Sequence, residues 1–493
     1  MQTIIRITQG TPRKTEWRLA QPVDFELHAG EHIAIIGANG SGKSMLVDMI
    51  TGKHPLLHNQ AVYNFAPSTK EYVADNIKLV AFKDSYGENN ATYFLQQRWN
   101  QQEMDEDIAT VEEVLNRYGG KAESLGFFPV SILRSPIVLL SSGEMRKLEL
   151  AKALLAEPRV LVIDNPYIGL DVEARKLLDD TLQEIIQTKD IQLIIEVARR
   201  EDIPPFITHV VEVEDGKVGP STPRQQFLYP QQQTDPTDDR EEENTSGTQC
   251  AIDGDECICE HQTTVCNHEA THHEPVIQFD HVSIVYGSRT ILNELSWNVN
   301  QGEHWALKGP NGSGKSTLLS LVCADNPQAY AANISLFGHQ RGTGESIWDI
   351  KKKIGYVSPE MHRAYKHNLP TIDIVASGLK DTVGLYVRAT EQEQHDCLQW
   401  MEIFGIAPLA NKPFLQLSSG QQRLALLARA FVKNPQLLIL DEPLHGLDDA
   451  NRIKVKNIIN DYCSDPSKTL IMVSHYDSEL PSCINHTLVL QKR

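Results

Sequence analysis

Two lysines, each closing a glycine-rich loop, are the first residues in this chain with the setting for chemistry. Lys43 lies in Gly37-Ala-Asn39-Gly40-Ser41-Gly42-Lys43-Ser44, and Lys315 lies in Gly309-Pro-Asn311-Gly312-Ser313-Gly314-Lys315-Ser316-Thr317. Each loop follows an apolar run, Ile33 to Ile36 or Trp305 to Lys308, and reads on into a helix. Glycines let successive backbone N–H groups wrap an anion, and a helix N-terminus adds positive potential. The spacing suits a nucleotide: the lysine reaches the β- and γ-phosphates, and Ser44 or Ser316 offers a hydroxyl to Mg2+. Both loops are complete, so both are expected to bind.

Further along, Val160 to Ile163 and Leu437 to Leu440 read as buried strands. Asp164 and Asp441 at their ends are placed to hold Mg2+. Before them stand Ser141-Ser142-Gly143-Glu144 and Ser418-Ser419-Gly420-Gln421. From Ser141 and Ser418 onward the two halves keep a constant offset of 277 residues, which sets Glu442 against Asn165 and His475 against Ala198. A carboxylate can take a proton from an attacking water, an effect worth about 10²–10⁴ in rate. An amide cannot, and Ala198 offers no hydrogen bond. The second copy is therefore expected to hydrolyse its nucleotide and the first only to hold it.

The order of these motifs resembles the ATP-binding-cassette (ABC) ATPases over nearly all of both halves. The resemblance implies an α/β fold of two tandem P-loop NTPase domains, each with a RecA-like core, an antiparallel β subdomain and a helical subdomain. It implies that the halves close head to tail, each ATP lying between the phosphate loop of one and the signature of the other. One site would then combine Lys315, Asp441, Glu442 and His475 with Ser141, Ser142, Gly143 and Glu144. The other would combine Lys43, Asp164 and Asn165 with Ser418, Ser419, Gly420 and Gln421. By the same resemblance Glu442 and His475 are the catalytic pair, and Tyr286 is the aromatic that stacks on adenine. In the first half Lys14 holds that register, with Trp17 the nearest aromatic. Both signatures carry Ser where the family pattern has its first Gly. The glutamine expected after the strand between loop and signature is replaced by Ser358-Pro359-Glu360 and by Lys83-Asp84; Gln96-Gln97-Arg98 is a candidate substitute in the first half.

Composition divides the chain. Of the net charge of −19, residues 231–275 carry −11, twelve acids against Arg240 alone. That stretch has few large apolar residues to offset chain entropy, so it reads as a disordered linker. The expected domains are 1–228, a linker 229–275, and 276–493. Within the linker, Cys250, Cys257, Cys259, His261, Cys266, His268, His272 and His273 could bind Zn2+, although the spacing fits no standard finger. The folded halves are only mildly acidic, which argues against nucleic acid as a partner. The N-terminus lacks a signal core, no apolar run reaches the ~18 residues a membrane span needs, and eight cysteines without a signal suit a reducing cytosol.

A closer resemblance lies in Leu295-Ser-Trp297, Gly344-Glu-Ser-Ile-Trp348 and Leu417-Ser-Ser-Gly-Gln-Gln-Arg423. These look like the twin cassettes encoded in molybdate-transport operons. The expectation is a cytoplasmic ATPase using ATP and Mg2+, a monomer whose halves pair, acting with a separate membrane permease, peripheral at the inner face of the membrane when docked. The alternative is a twin-cassette translation factor on the ribosome. Such factors carry a long basic linker, whereas an acidic one repels RNA phosphates.

Overall fold

The computed structural model describes residues 2–57, 60–81, 109–118, 130–137, 140, 142–167, 170–229, 275–286, 289–323, 325–359, 361, 365, 368–382 and 388–491. The expectations for Lys83, Asp84, Gln96, Gln97, Arg98, Ser141, Glu360 and the Cys/His group of the linker lie outside the described residues.

The first half contributes β1 (Thr3–Gly10), β2 (Val23–His28), β3 (Ile33–Ile36), β4 (Ala61–Tyr63), β5 (Ile77–Ala81), β6 (Val160–Asp164), β7 (Gln192–Val197), β8 (His209–Glu214), β9 (Lys217–Val218) and β10 (Thr222–Pro223). The second contributes β11 (Pro275–Tyr286), β12 (Arg289–Asn300), β13 (His304–Lys308), β14 (Ile334–Leu336), β15 (His339–Gln340), β16 (Ile354–Val357), β17 (Leu437–Asp441), β18 (Thr469–Val473) and β19 (His486–Val489).

Each half builds two sheets. The antiparallel ones run β2-β1-β4 and β12-β11-β14-β15. In β2, Val23, Phe25 and Leu27 are buried while Asp24 and Glu26 are exposed, the alternation of a sheet with one wet face. The central sheets hold parallel cores in matching order, β5-β6-β7-β3-β8 and β16-β17-β18-β13-β19. Covered on both faces, the innermost strands are apolar runs: Ile33 to Ile36 and Leu437 to Leu440 are buried throughout. Helices Lys43–Ile50 and Lys315–Val322 follow β3 and β13.

A helical layer completes each half. Helices Val111–Arg117 and Val130–Leu133 meet Ser142–Leu155 through Val111, Leu115, Leu133 and Leu148. Helices Thr371–Ala376 and Glu391–Ile403 meet Ser419–Phe431 through Ile374, Met401, Phe404 and Phe431. The α/β class with a RecA-like core, an antiparallel subdomain and a helical subdomain, written twice, is the fold the chain adopts.

Candidate nucleotide sites between the halves

The two phosphate loops are built alike. Gly42 (φ 108°) and Gly314 (φ 95°) cap their helices in the left-handed region, where a side chain would be strained. Lys43 Nζ donates to the carbonyls of Gly37 (2.8 Å) and Ala38 (3.0 Å), and Lys315 Nζ to those of Gly309 (2.6 Å) and Pro310 (3.0 Å). Burial lowers both lysines from the usual range, opposed for Lys43 by Glu196, Asp164 and Asp448, and for Lys315 by Glu442, Asp441 and Asp171. Ser41 Oγ, Ser313 Oγ and Asn311 Nδ2 are buried without a hydrogen-bond partner among the described residues. Buried polar atoms normally find partners, so these loops fit a polyphosphate that would supply them. Ser44 and Ser316 stay exposed at the helix starts, with Thr317 buried behind Ser316.

Residues far apart in sequence meet across the two halves. Asn39 donates its backbone N–H to Asp448 Oδ2 (2.8 Å) and its amide to Gly446 O (2.9 Å). Reciprocally, the Asn311 N–H reaches Asp171 Oδ2 (3.0 Å). A Cβ on Gly420 would lie 2.1 Å from Asn39 Nδ2, and one on Gly40 3.0 Å from Gln421 Nε2. The first phosphate loop therefore faces the second signature. There Ser418 caps the helix Ser419–Phe431 in a reciprocal box with Gln421. In the first signature, Ser142, Gly143 and Glu144 open the helix Ser142–Leu155. Arg146 on that helix is drawn down to about 10 by burial, and the charge of Glu442 in the other half acts on it in the opposite sense.

Glu442 is held between two imidazoles. His445 Nδ1 lies 2.9 Å from one carboxylate oxygen, and His475 Nε2 lies 2.9 Å from the other, off the line of a good hydrogen bond. Burial alone would raise the carboxyl; the two histidines outweigh it and hold it well below its usual range, so it is ionised. Its backbone is left-handed (φ 51°), and Arg423 fastens the turn by donating to the carbonyls of Asp441 (2.9 Å), Glu442, Pro443 (3.3 Å) and Ser358 (3.2 Å). A non-glycine residue held at positive φ is strained and persists where its surroundings over-determine it.

The first half keeps the kink and loses the group. Asn165 sits at φ 46°, and its N–H bonds Glu196 O (3.0 Å) as that of Glu442 bonds Val473 O (3.1 Å). Asparagine tolerates this region better than glutamate. Its amide donates to Asp164 Oδ1 (2.7 Å).

Sequence reasoning missed three features. Glu196 pairs with Asp164 across β6 and β7 where the second half has Val473 opposite Asp441. Its carboxylate accepts from Ser44 Oγ (3.2 Å), and burial, then Asp164, raise it to about 8. The signal was available: an acid interrupting Leu193-Ile194-Ile195-Glu196-Val197. His445 had only its place three residues after Glu442 to mark it. Asp171 and Asp448 cap helices and also reach the opposite phosphate loop, a relation no spacing in the sequence marks. Of the adenine-side aromatics, Trp17 stacks on His54 (4.2 Å) beneath Lys14 Nζ, and Tyr286 ends β11 paired with Arg289.

Two phosphate loops on RecA-like cores with acid-tipped strands, the first facing the signature of the other half, define an ATP-binding cassette ATPase. The chain belongs to the ABC transporter family, whose profile matches residues 20–168 and 292–445. It is a twin-cassette ATP-binding protein and an ATP hydrolase. It is 37% identical over 98% of its length to the ABC transporter ATP-binding protein ModF of Escherichia coli, covering 96% of that chain. It is 30% identical to an uncharacterised ABC transporter ATP-binding protein of Schizosaccharomyces pombe, covering 98% of this chain and 97% of that one. Among solved structures, a nucleotide-free cassette from an ABC transporter aligns over 44% of this chain and 88% of its own, at 18% identity and a TM-score of 0.38. Among the described residues, no helix is long and apolar enough to cross a membrane.

Proposed function

We propose that the chain works as an asymmetric ATP-driven clamp, two cassettes (1–228 and 276–493) tethered by 229–275, in which hydrolysis runs at the site of Lys315. The observation that carries this reading is the contrast at one backbone kink: an ionised Glu442 between His445 and His475, against Asn165 beside Ala198. Ser316 and Asp441 in the second half, and Ser44 and Asp164 in the first, would hold Mg2+, which would supply positive charge to offset the charge developing on the phosphates. Lys315 and the loop N–H groups orient the phosphates. Glu442 takes the proton of the attacking water. For this, His475 must leave Glu442 for the γ-phosphate, which frees one carboxylate oxygen while His445 keeps the other in place. The signature helix of the opposite half closes the site and excludes water.

The partner in this reading is a membrane permease on a separate chain, and the transport system is of the molybdate type named by the resemblance to ModF-type cassettes. Support comes from full-length similarity to chains named as transporter ATP-binding proteins. The test of asymmetry is a count. Chains loaded with labelled ATP and Mg2+, then chased, should hydrolyse one nucleotide promptly and keep the other. Prompt hydrolysis of both, or retention of neither, defeats the reading. The transport arm is tested by co-purification from membranes. A chain that sediments with ribosomes at low salt and never with a permease would reverse it.

A further inference from the structure

On the edge of the second half away from its phosphate loop, three side chains with metal-ligand chemistry converge. His304 begins β13, Cys463 ends the helix Asp449–Cys463, and Cys483 lies in the segment before β19. One nitrogen or sulfur from each lies within 4.8 Å of the other two. They come from three separate parts of the chain, so the grouping is made by the fold and is invisible as a sequence spacing. His304 is 8% exposed, and Cys463 is equally buried. The His304 Nδ1 is 3.2 Å from the carbonyl of Cys483, and Nε2 is buried with no hydrogen-bond partner among the described residues. The two thiols lie side by side and are unbridged.

The first half is an internal control. His32 occupies the place of His304, since Ile33 pairs with His209 as Trp305 pairs with His486. There the offset of 277 puts Ile186 and Phe206 where the thiols stand. Both pack against the apolar core. His32 Nδ1 accepts the N–H of Leu193 (3.1 Å), an ordinary satisfied core histidine. The second half keeps the histidine, leaves a ring nitrogen without a partner among the described residues and adds two thiols beside it.

We propose that His304, Cys463 and Cys483 form a site for a borderline-soft cation, Zn2+, which ties the end of the Asp449–Cys463 helix to the first residue of the strand that leads into the second phosphate loop. Two sulfurs and one imidazole are the donors such a cation prefers, and a water can complete a tetrahedron on the half-exposed Cys483 side. Donors around tetrahedral zinc stand roughly 3.4–3.8 Å apart, as follows from bond lengths near 2.0–2.3 Å. Closing from the present spacing takes a contraction of about 1 Å, within reach of a cysteine rotamer. Each thiol loses its proton to solvent as its sulfur binds, so two thiolates and a neutral imidazole balance the dication. That leaves no net charge in a buried place. The same helix begins next to Asp448, which touches Asn39 across the interface. The cation would thus brace the far end of the element that carries this contact.

The test uses the full chain with Cys250, Cys257, Cys259 and Cys266 changed to Ser, so that linker thiols do not contribute. Kept reduced and given Zn2+ against a micromolar chelating competitor, it should retain about one Zn2+ per chain. Adding Cys463→Ser with Cys483→Ser should abolish retention. Co2+ should give thiolate-to-cobalt absorption in the near ultraviolet with the first chain and none with the second. As a readout free of any change at the site, Zn2+ should slow alkylation of Cys483 in the first chain at least tenfold. No retention, retention unchanged by the Cys pair, or alkylation indifferent to Zn2+ each overturns the proposal. So does a Cys463–Cys483 disulfide that persists under reductant.

Discussion

Asn39 donates its backbone N–H to Asp448 at 2.8 Å, joining the phosphate loop of the first half to the cap of a helix in the second. Asp448 uses its other oxygen to cap that helix, accepting from Asn451 N–H at 2.8 Å. One carboxylate thus serves folding and closure together. Asp171 does the same, capping with Ala174 and reaching Asn311. The reciprocity puts each loop under the control of the other half, so nucleotide at either site favours one closed state.

The two roles of Asp448 can be separated. Asp448→Asn keeps an oxygen for the cap but can turn an N–H toward the N–H of Asn39; Asp448→Ala removes both contacts. A hydrogen bond to a charged group contributes roughly 1.5–3 kcal/mol, so Asp448→Asn should lower the closed population about tenfold or more with ATP bound. Its melting temperature should stay near that of the parent, while Asp448→Ala loses about 1 kcal/mol more from the missing cap. Distance measurements between labels on the halves check this. Unchanged closure in Asp448→Asn would mean that the contact is incidental.

Glu442→Gln should cut steady-state hydrolysis by about 10²-fold or more while ATP stays bound, because the shape survives and the proton acceptor does not. Turnover within about tenfold of the parent would remove Glu442 as the base. His445→Asn is the companion change. His445 holds one oxygen of Glu442 and touches no phosphate in the proposed mechanism. Its loss should shift the acid limb of the pH–rate profile upward, since the carboxylate loses a group that keeps it ionised.

Lys315→Ala should cost far more hydrolysis than Lys43→Ala, and Lys43→Ala should shorten nucleotide retention. Both lysines rest on their own loop carbonyls in the same geometry, so unequal losses would reflect what surrounds them. Equal losses in the two variants would refute the asymmetry.

Histidine titration distinguishes a core ring from a surface ring. Burial lowers His32 from its ordinary 6.5, while the exposed His281 is raised by its hydrogen bond to Asp280. A histidine depressed in the fold stabilises it above the unfolded value, and that contribution is lost as pH falls through the folded value. Ring resonances followed by NMR should therefore place His32 below 6.5 and His281 above it. His32→Gln, able to accept from Leu193 in place of the ring, should flatten the acid-side loss of first-half stability. A His32 midpoint above 6.5 would contradict the buried, neutral ring.

The sites were legible where chemistry demands a local string. Gly309 to Ser316 must be contiguous to wrap a phosphate, and Asp441 with Glu442 must end a strand, so motif and fold agree. The repeat register exposed Asn165 and Ala198 from the sequence alone. What stayed hidden was made by neighbouring strands and by the interface. Glu196 gains meaning only when β7 lies beside β6, and His445 only when the turn after Glu442 brings its ring back. Cys483 comes beside His304 because β19 lies next to β13, and beside Cys463 because Asn460, on the helix that ends at Cys463, accepts the Cys483 N–H. Apolar periodicity reports which face is buried and says nothing of which polar side chains face one another.

Restoring the first site tests how completely its loss is understood. Asn165→Glu with Ala198→His returns the missing base and histidine, and the kink at Asn165 (φ 46°) already matches that at Glu442 (φ 51°). The second half, however, has Val473 where the first has Glu196, a buried carboxyl raised to about 8 beside Asp164 and Ser44. The carboxyl introduced by Asn165→Glu would enter a site that already holds two acids, and like charges at close range disfavour ionisation. The double variant should therefore gain little turnover. Adding Glu196→Val should allow the introduced carboxyl to ionise and should produce hydrolysis at the Lys43 site, measured in a Lys315→Ala background that silences the other. If the double variant is already fully active, Glu196 has no bearing on the lost chemistry. If the triple variant folds, binds ATP and still does not turn over, the fault lies in the signature that faces it, and Ser418, Ser419 and Gly420 become the next residues to exchange.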